Sequence, residues 1–125
     1  MVTVFFKPDG GTLFAKAVFL GDMVANYEML LREKNSNSET SLLTGDNLNP
    51  EDDVALLPTP VAINDGRRVV LETGFVGNKP DDNPNYEIRL EIFQDGQRLG
   101  FDVDSGTLNS KGQFSLLFVK LVAQQ

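Results

Sequence analysis

Chemistry needs side chains that move a proton, hold a metal or present a nucleophile, and this chain's supply is narrow. Its 125 residues include no histidine and no cysteine. That removes Ser-His and Cys-His nucleophilic pairs, and every metal centre built on imidazole or thiolate. What remains is oxygen, from 18 Asp and Glu residues and the asparagines beside them. Two catalytic arrangements stay open: a carboxylate pair of the kind that hydrolyses glycosides, and a Ser-Lys pair such as Ser110-Lys111. Scattered carboxylates on a surface always include close pairs, and Ser110-Lys111-Gly112 reads as an ordinary turn before a last strand. Asp9-Gly10-Gly11 is also a turn, and no glycine-rich phosphate loop follows a strand. The chain is therefore expected not to be an enzyme, with a carboxylate-based hydrolase as the remoter alternative.

Oxygen side chains at short, alternating spacing suit a hard cation, and calcium is the cofactor they would hold. Asp81, Asn83 and Asn85 stand at positions one, three and five of such a loop, with Asp82 inside it and Glu87 just beyond. The rest of an EF-hand is missing, because Tyr86 occupies the place of the turn glycine and Ile92 that of the closing glutamate. The expected metal set is Asp81, Asp82, Asn83 and Glu87 in an irregular loop site. Asp46, Asn47, Asn49, Glu51, Asp52 and Asp53 form a second oxygen-rich group. The competing view of both groups is that Asp, Asn and Pro make good turns.

For an organic ligand, a carbohydrate or a protein, the expected binding residues are Asn85, Tyr86, Asp102 and Asp104. Sugar sites favour an exposed aromatic platform, and the chain has no Trp and two Tyr. Tyr86 adjoins the acidic loop, although it also heads an apolar alternation and so belongs equally to a core. Phe93 shares a face with Glu87 and Glu91, which makes it either the end of a core or a contact surface.

The elements that must position these groups read as strands. Tyr86, Ile88, Leu90 and Ile92 alternate with Glu87, Arg89 and Glu91 up to Asp95-Gly96, a hairpin dipeptide. On the return, Leu99, Phe101 and Val103 should face one way, and Arg98, Asp102 and Asp104 the other. Asn64-Asp65-Gly66 suggests a hairpin between strands at 60–63 and 67–76, and Gly21-Asp22 another between 12–20 and 23–32. Met23, Tyr27, Leu30 and Leu31 also fit helical spacing, but the alternation of Met23, Ala25, Tyr27, Met29 and Leu31 favours a strand. Residues 113–122 are apolar on both faces, as in a strand covered on both sides. Val2–Phe6 and 54–57 are shorter strands, and 33–53 and 77–85 read as irregular loops. This predicts an all-β, antiparallel sandwich of eight or nine strands, immunoglobulin-like or jelly-roll, in one domain over residues 1–125.

Eighteen acids against eleven bases give a net charge of −7. Residues 33–53 hold six acids and one base, and 79–87 three acids and one base, so these segments (−5 and −2) carry the whole of it. Such a balance argues against a nucleic-acid backbone as partner and for cations, basic partners or solubility. No apolar run approaches the length of a membrane helix, and no secretory leader is recognisable, so a cytoplasmic, non-membrane protein is expected. The reading is a non-catalytic binding or interaction module that uses acidic loops at one end of the sandwich. The alternative is a structural subunit that self-assembles through strand edges. In that alternative Pro58-Thr59-Pro60 blocks one edge, and Arg67-Arg68 either meets an acidic loop of another copy or is solvated.

Overall fold

The structure, a computed structural model, describes residues 1–48 and 53–125. Nine strands run through the described residues: β1 (Val2–Phe6), β2 (Phe14–Gly21), β3 (Met23–Arg32), β4 (Glu39–Asp46), β5 (Asp53–Leu56), β6 (Arg68–Gly77), β7 (Asn85–Gln94), β8 (Gln97–Thr107) and β9 (Gln113–Ala123). They form a five-stranded sheet in the order β1-β9-β6-β3-β4 and a four-stranded sheet in the order β5-β2-β7-β8. The expected all-β sandwich is present. Its one departure from antiparallel pairing is β1, which runs parallel to β9. No helix among the described residues is long and apolar enough to cross a membrane.

The core lies between the sheets and is built by alternation. Met23, Ala25, Tyr27, Met29 and Leu31 of β3 point inward against Ala15 and Ala17 of β2 and Ile88, Leu90 and Ile92 of β7. Each strand contributes one residue in two to this layer, as the pleat requires. That alternation makes 23–32 a strand and not a helix. Ten residues of β3 pair with β6, and a helix would leave those inward residues without a layer to fill.

Several expectations need correction. Gly21-Asp22 does not close a hairpin, because β2 and β3 belong to different sheets and the link crosses between them. Gly21 is needed there: its φ is +131°, and a Cβ would lie 2.8 Å from the Asn85 carbonyl oxygen. Residues 61–64 form a 3-10 turn in place of a strand. The buried Asn64 side chain holds that turn by donating to the carbonyls of Pro58 and Val61. Part of the supposed loop 33–53 is β4, whose polar side chains hid a strand registered by the backbone of β3. Finally, β9 is covered on one face only: Leu117, Val119 and Leu121 are buried, while Phe114 is 67% and Leu116 44% exposed.

The β7–β8 hairpin is as expected, with Asp95 and Gly96 both at positive φ. Its register slips between Ile92 and Phe93, leaving Leu99 as the extra residue of a bulge. A bulge reverses the sense of alternation after it. Leu99 still packs on the core, but Phe101 and Val103 are exposed, and Asp102 and Asp104 lie opposite the inward residues Leu90 and Ile88. Gly100 and Gly106 complete that strand face, where Cβ atoms would meet Val4 and the Tyr86 ring.

Candidate functional site

The acidic loop between β6 and β7 is organised by Asp22, a residue that spacing did not single out. Its carboxylate accepts the side-chain amides of Asn78 (3.0 Å) and Asn83 (3.1 Å), and its carbonyl accepts the Asn78 N–H (3.0 Å). Backbone bonds from Asp82 and Asn83 to the Lys79 carbonyl close a tight turn. A shallow cleft of about 390 Å³ results, lined by Gly21, Asp22, Asp82, Asn83, Pro84 and Asn85.

The expected metal ligands do not converge there. Asn83 turns its amide nitrogen toward Asp22, so that side chain presents a donor where a cation needs an acceptor. Glu87 lies on the outer face of β7, paired with Arg89 at 3.4 Å. Asp81 and Asp82 are exposed on the turn. Among the described residues no three acidic side chains gather as metal ligands would. Of the second oxygen-rich group, Asn49, Glu51 and Asp52 lie outside the described residues. Asn47 is structural, accepting from Ala25 N–H and donating to the Met23 carbonyl.

The expected ligand-binding residues are divided between two places. Asn85 belongs to the cleft beside Asp22. Tyr86, Asp102 and Asp104 lie at the open side of the sandwich, where β8 faces β9. Tyr86 is half-buried, packs its ring on Phe75 at 4.8 Å, and brings its hydroxyl to 3.5 Å from both Asp104 oxygens. Burial, and then the Asp104 carboxylate, raise the Tyr86 pKa above the ordinary phenol value. Asp102 accepts the Phe118 N–H at 3.0 Å, so its carboxylate serves the backbone of β9.

That bond marks a strand edge. Parallel pairing with β1 begins only at Val119, so no strand among the described residues forms a hydrogen-bonded ladder with Gln113–Phe118 on that side, and β8 reaches it through the Asp102 side chain. Along a strand, successive residues direct their N–H and C=O groups to opposite sides. Leu121 N–H bonds toward β6, at the Arg67 carbonyl, and Phe118 N–H bonds away from it. Phe114 and Leu116 share the parity of Phe118, so their backbone groups face the open side. Their side chains stand on the outer face, and the cross-strand neighbour of Phe114 is Gly74, around whose Cβ position nothing lies within 4 Å. Glu72 is paired opposite Leu116, and Glu28 opposite Glu72. The sequence signal for this edge was the two-sided apolar run of β9, which also describes a central strand.

The remaining singled-out residues have structural roles. Phe93 stacks on Phe14 at 5.2 Å on the outer face of the four-stranded sheet. Beside it, Arg98 pairs with the buried Glu91 at 2.8 Å and lies over Phe101 at 4.4 Å. Arg67 is partly buried and pairs within the chain with Glu33 at 3.1 Å. Arg68 donates to the carbonyls of Glu33 and Ser36. No protein-family model, curated protein or solved structure matches this chain, so its function rests on its own geometry.

Proposed function

We propose that this chain is a non-catalytic interaction module that accepts an extended strand of a partner protein along the open edge of β9. The observation that carries the reading is the coincidence, at Phe114 and Leu116, of edge-facing backbone groups with side chains that are 67% and 44% exposed. Strand addition uses both: main-chain hydrogen bonds supply affinity, and alternate side chains supply specificity. The surroundings favour a basic, apolar-alternating strand. Asp102 and Asp104 stand on β8 across the edge, and Glu28 and Glu72 lie on the outer face beside Leu116. A chain of net charge −7 repels its own copies at long range, which weighs toward such a partner over self-assembly.

The loop end offers less to a cation or sugar, since Asp22, Asn78 and Asn83 already bind one another. A catalytic reading has little to build on without histidine or cysteine.

The test is binding of two strand-forming peptides of equal length, one alternating Val with Lys and the other Val with Glu, followed by tryptophan fluorescence from a peptide tag. The Lys peptide is expected to bind at least tenfold more tightly, and Leu116→Lys to abolish binding while the protein stays folded. Equal affinities, or binding indifferent to Leu116→Lys, would contradict the proposal. Concentration-dependent dimerisation lost in Leu116→Lys would instead assign the edge to a second copy.

A further inference from the structure

On the outer face of the five-stranded sheet, three cations stand in one cross-strand row. Arg32 of β3 is directly opposite Arg68 of β6, which is directly opposite Lys120 of β9. Like charges so placed destabilise a sheet unless something offsets them. Arg32 has its own counter-ion, Glu39, at 3.4 Å. Glu33, whose carbonyl Arg68 reaches, has its carboxylate paired with Arg67. Arg68 is held by carbonyl oxygens alone, and Lys120 is exposed with no partner among the described residues.

Arg68 and Lys120 open onto a cleft of about 360 Å³ whose other walls are Met1, Asn35, Ser36, Asn37 and Gly66. The side chains of Arg68 and Lys120, two carboxamides, a hydroxyl and the Met1 side chain line it, and no carboxylate does, although the chain carries 18 acids. The walls are fixed. The Arg68 guanidinium is tied to the Glu33 and Ser36 carbonyls at 3.3 and 2.8 Å. The Asn35 turn is closed by Glu33 N–H on the Ser38 carbonyl and by Ser38 N–H on Ser36 Oγ. Cations and amide donors around an acid-free cleft suit a compact anion with several acceptor oxygens. We infer that this cleft binds a phosphoryl group, either free phosphate or the phosphate of a monoester. One such group fits a local pair of cations on a protein too acidic to bind a nucleic-acid backbone.

The test is an amide-resonance titration of the ¹⁵N-labelled chain with inorganic phosphate, with ionic strength held constant by sodium chloride. Saturable shifts are expected at Ser36, Asn37, Gly66 and Arg68. Lys120→Gln, a change at an exposed position, should weaken phosphate at least tenfold. Arg68→Lys keeps the charge but loses the planar fork, and should weaken it as well. Glycerol 3-phosphate competing at equal or better affinity would make the ligand a phosphomonoester. Failure to compete would make it the free ion. Shifts reproduced by chloride alone, or an affinity unchanged in Lys120→Gln, would overturn the inference. Leu116→Lys should leave the titration intact, which separates this site from the strand-binding edge.

Discussion

β4 and the first half of β9 are both free edges of the five-stranded sheet, and they are finished in opposite ways. β4 presents Glu39, Thr40, Ser41 and Thr44 to solvent, with a register shift opposite Met29/Leu30 that interrupts its ladder. Charge, polarity and a bulge are the usual means of keeping an edge from pairing with another chain. β9 presents Phe114 and Leu116, beside a bare Gly74, with no bulge against β6 over this stretch. From β8, the Asp102 carboxylate takes the Phe118 N–H, and the Gln113 side chain donates to the Thr107 carbonyl. One sheet, then, carries a guarded edge and an open one. This contrast supports reading the open one as a place of use.

The seating of β4 rests on a glycine. Gly45 lets that strand lie against Tyr27, whose hydroxyl would be 2.9 Å from an added Cβ. Gly45→Ala should cost about 1–3 kcal/mol in urea unfolding, the usual penalty for overpacking. A cost near zero would mean that β4 is not seated as described. On the other side, Asp102→Ala leaves the Phe118 N–H without its acceptor and should cost about 1 kcal/mol, with Asp102→Asn costing less because a carbonyl oxygen remains. Equal losses in the two variants would assign Asp102 a role through charge alone.

Tyr27 adds a pH-dependent contrast. Its hydroxyl is buried without a hydrogen-bond partner among the described residues. Burial raises its pKa, and the nearby carboxylate of Asp53 and then that of Asp46 raise it further. A group whose pKa is raised by folding stabilises the fold fully below its unfolded value, and that contribution is lost as pH rises through the folded value. Stability should therefore fall from about pH 10 upward. Tyr27→Phe should flatten that fall at little or no cost near neutrality; an unchanged alkaline slope would exclude Tyr27 as its source. The smallest effect is expected at Leu116→Lys, which should change stability by under about 0.5 kcal/mol because the side chain lies outside the core. A larger loss would show that Leu116 supports the fold.

Local pattern made much of the sandwich legible. The alternation of Tyr86–Ile92 before Asp95-Gly96 identified the β7–β8 hairpin, and Met23–Leu31 identified β3. What stayed hidden depended on partners distant in sequence. β4 has few apolar residues and is a strand because β3 lies beside it. The inward placement of Asp102 and Asp104 follows from one extra residue, Leu99, which alternation cannot register. Asp22 looked like part of a turn, and its grip on Asn78 and Asn83 joins positions 56 and 61 residues apart. The open edge was hidden for the same reason: whether an apolar strand lies inside a sheet or at its margin depends on how much of it a distant strand pairs, and β1 pairs only Val119–Ala123.

The most direct test of the β9 edge is amide hydrogen exchange, residue by residue, on the free chain and on the chain saturated with the Val-Lys peptide. Strand addition predicts fast exchange at Phe114 and Leu116 in the free protein and at least tenfold slowing in the complex, with the β4 amides unchanged. Unchanged exchange at Phe114 and Leu116, with new protection appearing at β4 or at residues 78–84, would contradict it.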